Sequence, residues 1–268
     1  MAKLGVIHYN FPGFNFDQFL KFAADTGYQY VELHYNDVFT EDTENPEASA
    51  EAVRRKVESH GLAVSAFSAR NDFLQPDEHA VRAEVERMKR VCGITKILHE
   101  DAVVRSEGGV PKDEIPQEHW LDGLYECFAP CVEFAEELGI PIAIDNHGII
   151  TNDGDLLYAL IQKVGSKFIG TNLDTMNYRW LGHDLATCDR FYEILAPHTL
   201  HTHFKDGFDS REHYRGAALG DGEIHLAHAL EQLAKAGYNG VYCAEYEGPE
   251  AAGGVGYGKC YQWLKANV

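Results

Sequence analysis

Four short apolar runs in the second half of the chain each end on a residue that can bind a divalent cation: IPIAID on Asp145, FIGTNLD on Asp174, LHTHFKD around His203 and VYCAE on Glu245. Steps of 29 residues separate Asp145, Asp174 and His203, and Glu245 follows 42 residues later. Such a step is the length of a strand, a crossover helix and two loops, so the spacing predicts parallel strands joined by helices. An acidic strand end is common by itself. Four in successive units, with three carboxylates and one imidazole, point to one site built from several strands. That donor set is hard to borderline. It suits Mn²⁺ foremost, and also Mg²⁺, Co²⁺ or Zn²⁺, over a thiolate-bound structural zinc.

The same alternation runs from end to end. Strand-like segments fall at 4–9, 29–34, 62–67, 94–99, 140–145, 168–174, 199–204 and 240–245. Amphipathic stretches near 16–26, 47–60, 77–92, 118–138, 153–164, 184–196, 224–236 and 257–266 separate or follow them. Gly27, Gly61, Gly93, Gly139 and Gly237 read as helix stops, and Pro46 and Pro76 as helix entries. Eight alternations without a Pro- or Ser-rich linker predict an α/β fold, a closed (β/α)₈ TIM barrel in a single domain over residues 1–268. An open doubly wound sheet is the alternative. It is disfavoured because no GxGxxG or GxxxxGK[ST] follows any strand.

Strand parity then sorts the side chains. With Asp145 pointing inward, Ala143 does too, and Gly170, Asn172, His201 and Cys243 lie beneath Asp174, His203 and Glu245. Ile142, Ile144, Ile169, Leu173, Leu200, Tyr242 and Ala244 should face the helices. In a barrel, chemistry sits where strands end. The polar residues expected there are His8, Glu32, His34, Ser68, Asn71, His99 and Glu100, then the later four.

A net charge of −19 with no Lys/Arg cluster beyond Arg54-Arg55-Lys56 counts against a nucleic-acid-binding face, so no nucleic acid partner is expected. No apolar run approaches the ~20 residues of a membrane span, and no secretory signal is evident at the N-terminus, so the expectation is a cytoplasmic protein with no membrane association. The six cysteines form no CxxC pair and read as reduced thiols.

At five stretches the chain resembles the xylose isomerase-like TIM-barrel superfamily of sugar phosphate isomerases and epimerases. They are GYQYVELH, Ile144-Asp145-Asn146-His147-Gly148, Asn172-Leu173-Asp174-Thr175 with Asn177, His203-Phe204-Lys205-Asp206-Gly207, and Gly237-Tyr238-Asn239-Gly240 through Ala244-Glu245-Tyr246. The ordered set on strands five to eight is more specific than any single motif. The resemblance implies metal-ligand positions at Asp174, His203 and Glu245. Two departures stand out. The family usually has Glu at position 145, serving as both ligand and acid/base, and Asp is one methylene shorter. Some members, including the related abasic-site endonucleases, place His where this chain has Asn177.

One divalent ion held by Asp145, Asp174, His203 and Glu245 would polarise a substrate carbonyl and stabilise an enediolate formed by proton loss from the adjacent carbon. Glu245 is the first candidate for proton transfer, against a purely ligating role. Asp145 and His147 are further acid/base candidates, and Lys205 either supplies a cation near the developing oxyanion or pairs with Asp206 or Glu245. Glu32 either binds sugar hydroxyls or orients a ligand. Arg211 and Arg215 are candidates for a substrate phosphate or carboxylate, and His8, Asn71, His99 and Asn177 for lining the pocket. Tyr178, Trp180 and Phe208 would wall a sugar ring or form a homo-oligomer contact. The leading expectation is a metal-dependent isomerase or epimerase acting on a small sugar or keto-sugar. The alternative is a metal-dependent lyase or dehydratase on a keto-sugar, keto-glycoside or keto-inositol. A non-catalytic ligand-binding barrel and an abasic-site endonuclease follow, the last opposed by Asn177 and the negative charge.

Overall fold

Eight parallel strands close on themselves in the computed structural model, which describes residues 2–268. They are β1 (Lys3–Ile7), β2 (Tyr30–Leu33), β3 (Ala63–Ser68), β4 (Val103–Ser106), β5 (Ile142–Asp145), β6 (Ile169–Asp174), β7 (Thr199–Phe204) and β8 (Val241–Ala244). Each pairs with its neighbours in sequence, and β1 closes the ring against β8 from Lys3–Val241 to Val6–Ala244. Helices pack around this (β/α)₈ barrel. Among the described residues, no helix is long and apolar enough to cross a membrane.

Local chemistry sets the helix ends. Asn15 and Gln18 form a reciprocal capping box at Phe16–Thr26, and Gly27 ends that helix at a φ of 107°, a conformation that favours glycine. Asn45 caps Pro46–Ser59, with Pro46 at the first helical position. The main core fills the space between strands and helices and includes Ile142, Ile144, Ile169, Leu173, Tyr242 and Ala244, as parity required. Inside the barrel lie two small clusters, Ile7, Val241 and Cys243 against Tyr30, and Ala66, Val103 and Ala143 against Leu200.

The structure corrects the fourth unit. Residues 94–99 are not a strand: the helix Glu78–Leu98 runs through Gly93 and buries Val85, Met88, Val91, Cys92, Thr95 and Leu98 at helical spacing. The Thr95 hydroxyl donates to the Val91 carbonyl at 2.8 Å, which satisfies a β-branched polar residue within the helix. The strand itself is the shorter VVRS at Val103–Ser106, which begins nine residues after the start expected for it at position 94. Leu200 is a second correction. A register shift opposite Thr171 and Asn172 pairs them with Thr199 and His201, and the extra residue, Leu200, packs with the inner cluster rather than the helices. Gly170 allows this, because a Cβ there would lie 2.8 Å from Leu200 Cγ.

After β7 the chain forms an antiparallel hairpin, Asp206–Phe208 with Arg215–Ala217, that the sequence did not announce. Asp206 secures it. Its carboxylate accepts the backbone N–H groups of Gly207 and Gly220 at 2.9 Å, Gly222 at 3.0 Å and Ile224 at 3.2 Å.

Candidate metal centre

Asp145, Asp174, His203 and Glu245 meet at the C-terminal mouth of the barrel, all buried. The backbone holds Asp174 through one carboxylate oxygen. Its Oδ1 accepts the N–H groups of Met176 at 2.7 Å and Asn177 at 2.8 Å, and the Asn146 side chain grips its backbone N–H and carbonyl at 2.8 and 3.0 Å. Oδ2 is thereby turned inward. His203 is fixed in the same way, with Nε2 2.7 Å from Glu32 Oε2, which leaves Nδ1 facing the carboxylates. A histidine whose outer nitrogen is held by a carboxylate is the arrangement that orients an imidazole toward a metal.

Among the described residues, Asp174 Oδ2 and His203 Nδ1 are buried atoms without a hydrogen-bond partner, and they lie 3.9 Å apart. Asp145 Oδ1 is 3.8 Å from the same Nδ1. Glu245 Oε2 is 3.0 Å from it, out of line for a hydrogen bond. Asp145, Asp174 and His203 each present a ligand atom within 4.8 Å of the others. Unsatisfied buried atoms are costly, so His203 Nδ1 without a hydrogen bond and Asp174 Oδ2 met only by the Lys205 ammonium, converging beside further carboxylates, fit a single divalent cation.

Charge supports the same reading. Burial raises the Asp174 carboxyl above its ordinary range, and the neighbouring Glu245 and Asp145 add to this, although Lys205 opposes it. Burial would likewise raise Glu245, but Lys205 and His203 outweigh it and hold that carboxyl well below the usual range. Lys205 Nζ sits 3.1 Å from Asp174 Oδ2 and 3.0 Å from Glu245 Oε1. Burial works against its ammonium, yet Asp174 and Glu245 keep its pKa well above the ordinary lysine value. Lys205 is therefore a fixed cation, paired with Glu245 and Asp174 and not with Asp206.

Sequence reasoning missed Arg105. It is 5% exposed and lies inside the barrel on β4. Its Nε is 2.7 Å from Glu32 Oε1, Nη1 is 2.9 Å from Asp145 Oδ2, and Nη2 is 3.0 Å from Ser68 Oγ and 3.1 Å from Glu107 Oε1. Burial would raise Glu32, but His203 and Arg105 outweigh it and hold the carboxyl at about 2. The one available signal was a lone arginine in the apolar run AVVRS, visible only once β4 is placed at Val103–Ser106.

The family description for xylose isomerase-like TIM barrels matches residues 20–267. The chain belongs to that family. A structure of IOLI protein with a binding zinc atom superposes with a TM-score of 0.81 at 18% identity, over 100% of this chain and 98% of that one. An L-ribulose 3-epimerase gives 0.72 at 19% identity, over 99% and 94%. The probable 3-DHS dehydratase AsbF of Bacillus anthracis gives 0.75 at 14% identity, over 98% and 99%. At these identities the likeness is one of fold. An uncharacterised protein of Methanocaldococcus jannaschii is 27% identical over 130 residues, 47% of this chain and 43% of that protein, so the match spans under half of that relative.

The remaining candidates of this family member spread around the mouth. His147 is on the rim, its side chain 58% exposed and Nδ1 3.8 Å from Asp145 Oδ2. His8 stacks on Phe19 at 4.2 Å and pairs with Asp37 at 2.8 Å. Asn71 staples a loop, its Oδ1 accepting from Glu107 N at 3.1 Å and its Nδ2 donating to the Gly108 carbonyl at 3.2 Å. Asn177 is buried beside Asp174, with Nδ2 unpartnered. Arg215 lies over Phe208 and 3.4 Å from Asp209, and Arg211 lies over Trp180. Both belong to the exposed hairpin and make no ion pair with the four site residues. Tyr178 is fully buried against Phe191, in the core rather than on a sugar-facing wall. His99 is a correction that follows from the displaced β4. It caps a helix at the opposite mouth, where it shares a cavity of about 80 Å³ with Lys3, Tyr30, Val103, His201 and Gly240.

Proposed function

We propose that this protein is a divalent-metal-dependent isomerase or epimerase of a sugar or keto-sugar, working by proton transfer at the carbon next to a carbonyl. The carrying observation is the convergence of His203 Nδ1, buried without a hydrogen bond, and Asp174 Oδ2, met only by the Lys205 ammonium, beside Asp145 and Glu245. Asp145, Asp174, His203 and Glu245 would hold the ion. A bound divalent cation supplies Lewis-acid polarisation of the carbonyl and a template for its neighbouring hydroxyl. The zinc in the IOLI structure and the epimerase among the fold neighbours support this reading.

The chain's own groups divide the remaining work. Glu245, ionised and anchored by Lys205, is placed to take the proton. Lys205 stays charged, so it donates a hydrogen bond to oxygen that gains negative charge and does not act as the base. His147 on the rim is the second proton-transfer group, since Asp145 is engaged by Arg105 and Asn172 at 2.9 and 2.8 Å. That engagement also favours the dehydratase reading as the alternative, because elimination needs one base and one acid but no symmetric pair of carboxylates.

Incubation with Mn²⁺ and a panel of keto-sugars in D₂O, followed by NMR, tests the proposal. An isomerase or epimerase places deuterium at the carbon next to the carbonyl, whereas a dehydratase gives an enone absorbance. His147→Ala should keep Mn²⁺ and lose most turnover. A panel that gives neither exchange nor elimination would contradict the proposal.

A further inference from the structure

Both oxygens of Asp145 are committed. Arg105 Nη1 donates to Oδ2 at 2.9 Å, and Asn172 Nδ2 donates to Oδ1 at 2.8 Å. Asn172 cannot turn away, because its Oδ1 meets His201 Nδ1 at 2.8 Å, and His201 Nε2 in turn meets Ser65 Oγ at 3.1 Å. Arg105 is held as firmly. Its register partners on the two flanking strands are Ser68 and Ala143, whose small side chains leave space for a guanidinium within the barrel. Glu32, Glu107 and Ser68 bind the rest of its fork.

This geometry puts a permanent cation one carboxylate away from the position a divalent ion would take. Oδ2 is tied to the guanidinium, so Asp145 can face an ion through Oδ1 alone. The charge of Asp145 is also already matched by Arg105, and like charges in a buried site repel with little screening.

We propose that Arg105 is a positioning residue that locks Asp145 as a one-oxygen ligand and, by its own charge, weakens the site's hold on a divalent ion. The proposal rests on the metal reading above and not on the reaction. Asp174, His203 and Glu245 then carry most of the affinity.

Isothermal titration of Mn²⁺ into the dialysed full-length protein tests this. Arg105→Met keeps the side-chain bulk and removes the charge, and it is expected to bind Mn²⁺ about tenfold more tightly than the wild type or better. Unchanged or weaker binding overturns the proposal. Asp145→Asn is expected to weaken binding by less than about fivefold, against about a hundredfold or more for Asp174→Asn. Equal losses in those two variants overturn it as well, and that arm decides the matter if Arg105→Met does not fold. If neither wild type nor Arg105→Met binds Mn²⁺, the metal reading falls with it. Failure of the deuterium-exchange experiment alone would leave it standing.

Discussion

The two halves of the barrel bring different things to one mouth. Strands β5 to β8 end on or close to Asp145, Asp174, His203 and Glu245, and among their atoms Asp174 Oδ2 and His203 Nδ1 make no hydrogen bond. Strands β2 to β4 bring Glu32, Ser68 and Arg105, whose polar groups are spent on holding others. His203 shows how the halves depend on each other. Glu32 holds Nε2, and Nδ1 on the other side of the ring faces the carboxylates. His201, two residues earlier on the same strand, is equally buried but sits between Asn172 and Ser65. Burial pushes its pKa down to about 4, whereas His203, also opposed by burial, is raised well above the ordinary value by Glu32 and Asp145. Burial is the same for both, so the neighbours decide the charge.

If the second half supplies the ligands, Asp174→Asn and His203→Ala should each lower Mn²⁺ affinity by about a hundredfold or more. The far-UV circular dichroism should stay that of the wild type, because the core between strands and helices does not include these residues. A variant that unfolds would make them structural instead. If the first half only orients, Glu32→Gln should cost about 10–100-fold in affinity, less than loss of a ligand. A loss as large as that of His203→Ala would erase the distinction between the halves.

Acid should loosen the shared network in two stages. The unfolded chain takes up a proton at His201 below the ordinary value of 6.5, while the folded protein resists until about 4, so stability falls as pH drops through that window. Glu32, held at about 2 against an ordinary 4.5, contributes stability above pH 4.5 that is lost as pH falls through 2. Each stage is on the order of 3 kcal/mol. Urea denaturation across pH 7 to 4 should show the first stage, with a shallower slope in His201→Gln. An equal slope in that variant would assign the effect to other groups. The smallest effect is expected at the opposite mouth. His99→Ala should leave Mn²⁺ affinity unchanged and shift stability by less than about 0.5 kcal/mol.

The difference between the halves also marks what could be read from the sequence. The strands with the candidate ligands were legible because each apolar run ends on its own carboxylate or imidazole, three of them at a regular step, and a side chain at a strand end needs no partner to be noticed. Glu32 was visible for the same reason, but its 2.7 Å approach to His203 could be seen only in the folded barrel. Arg105 was hidden twice. Its strand is four residues long, and the preceding ITKIL, rich in β-branched residues, imitates a strand while forming the last turns of a helix. What Arg105 does depends on which strands flank it, and that follows from barrel closure rather than from local pattern. Leu200 escaped because a one-residue bulge reverses parity, and Gly170 on the neighbouring strand gave no local sign of it.

Metal content per chain tests the central claim most directly. Wild-type protein loaded with Mn²⁺, dialysed and measured by plasma mass spectrometry should retain one ion per chain, and His203→Ala should retain none. Two or three zinc ions per chain would contradict a single site whose ligands are Asp145, Asp174, His203 and Glu245, as would wild-type protein that retains no divalent ion.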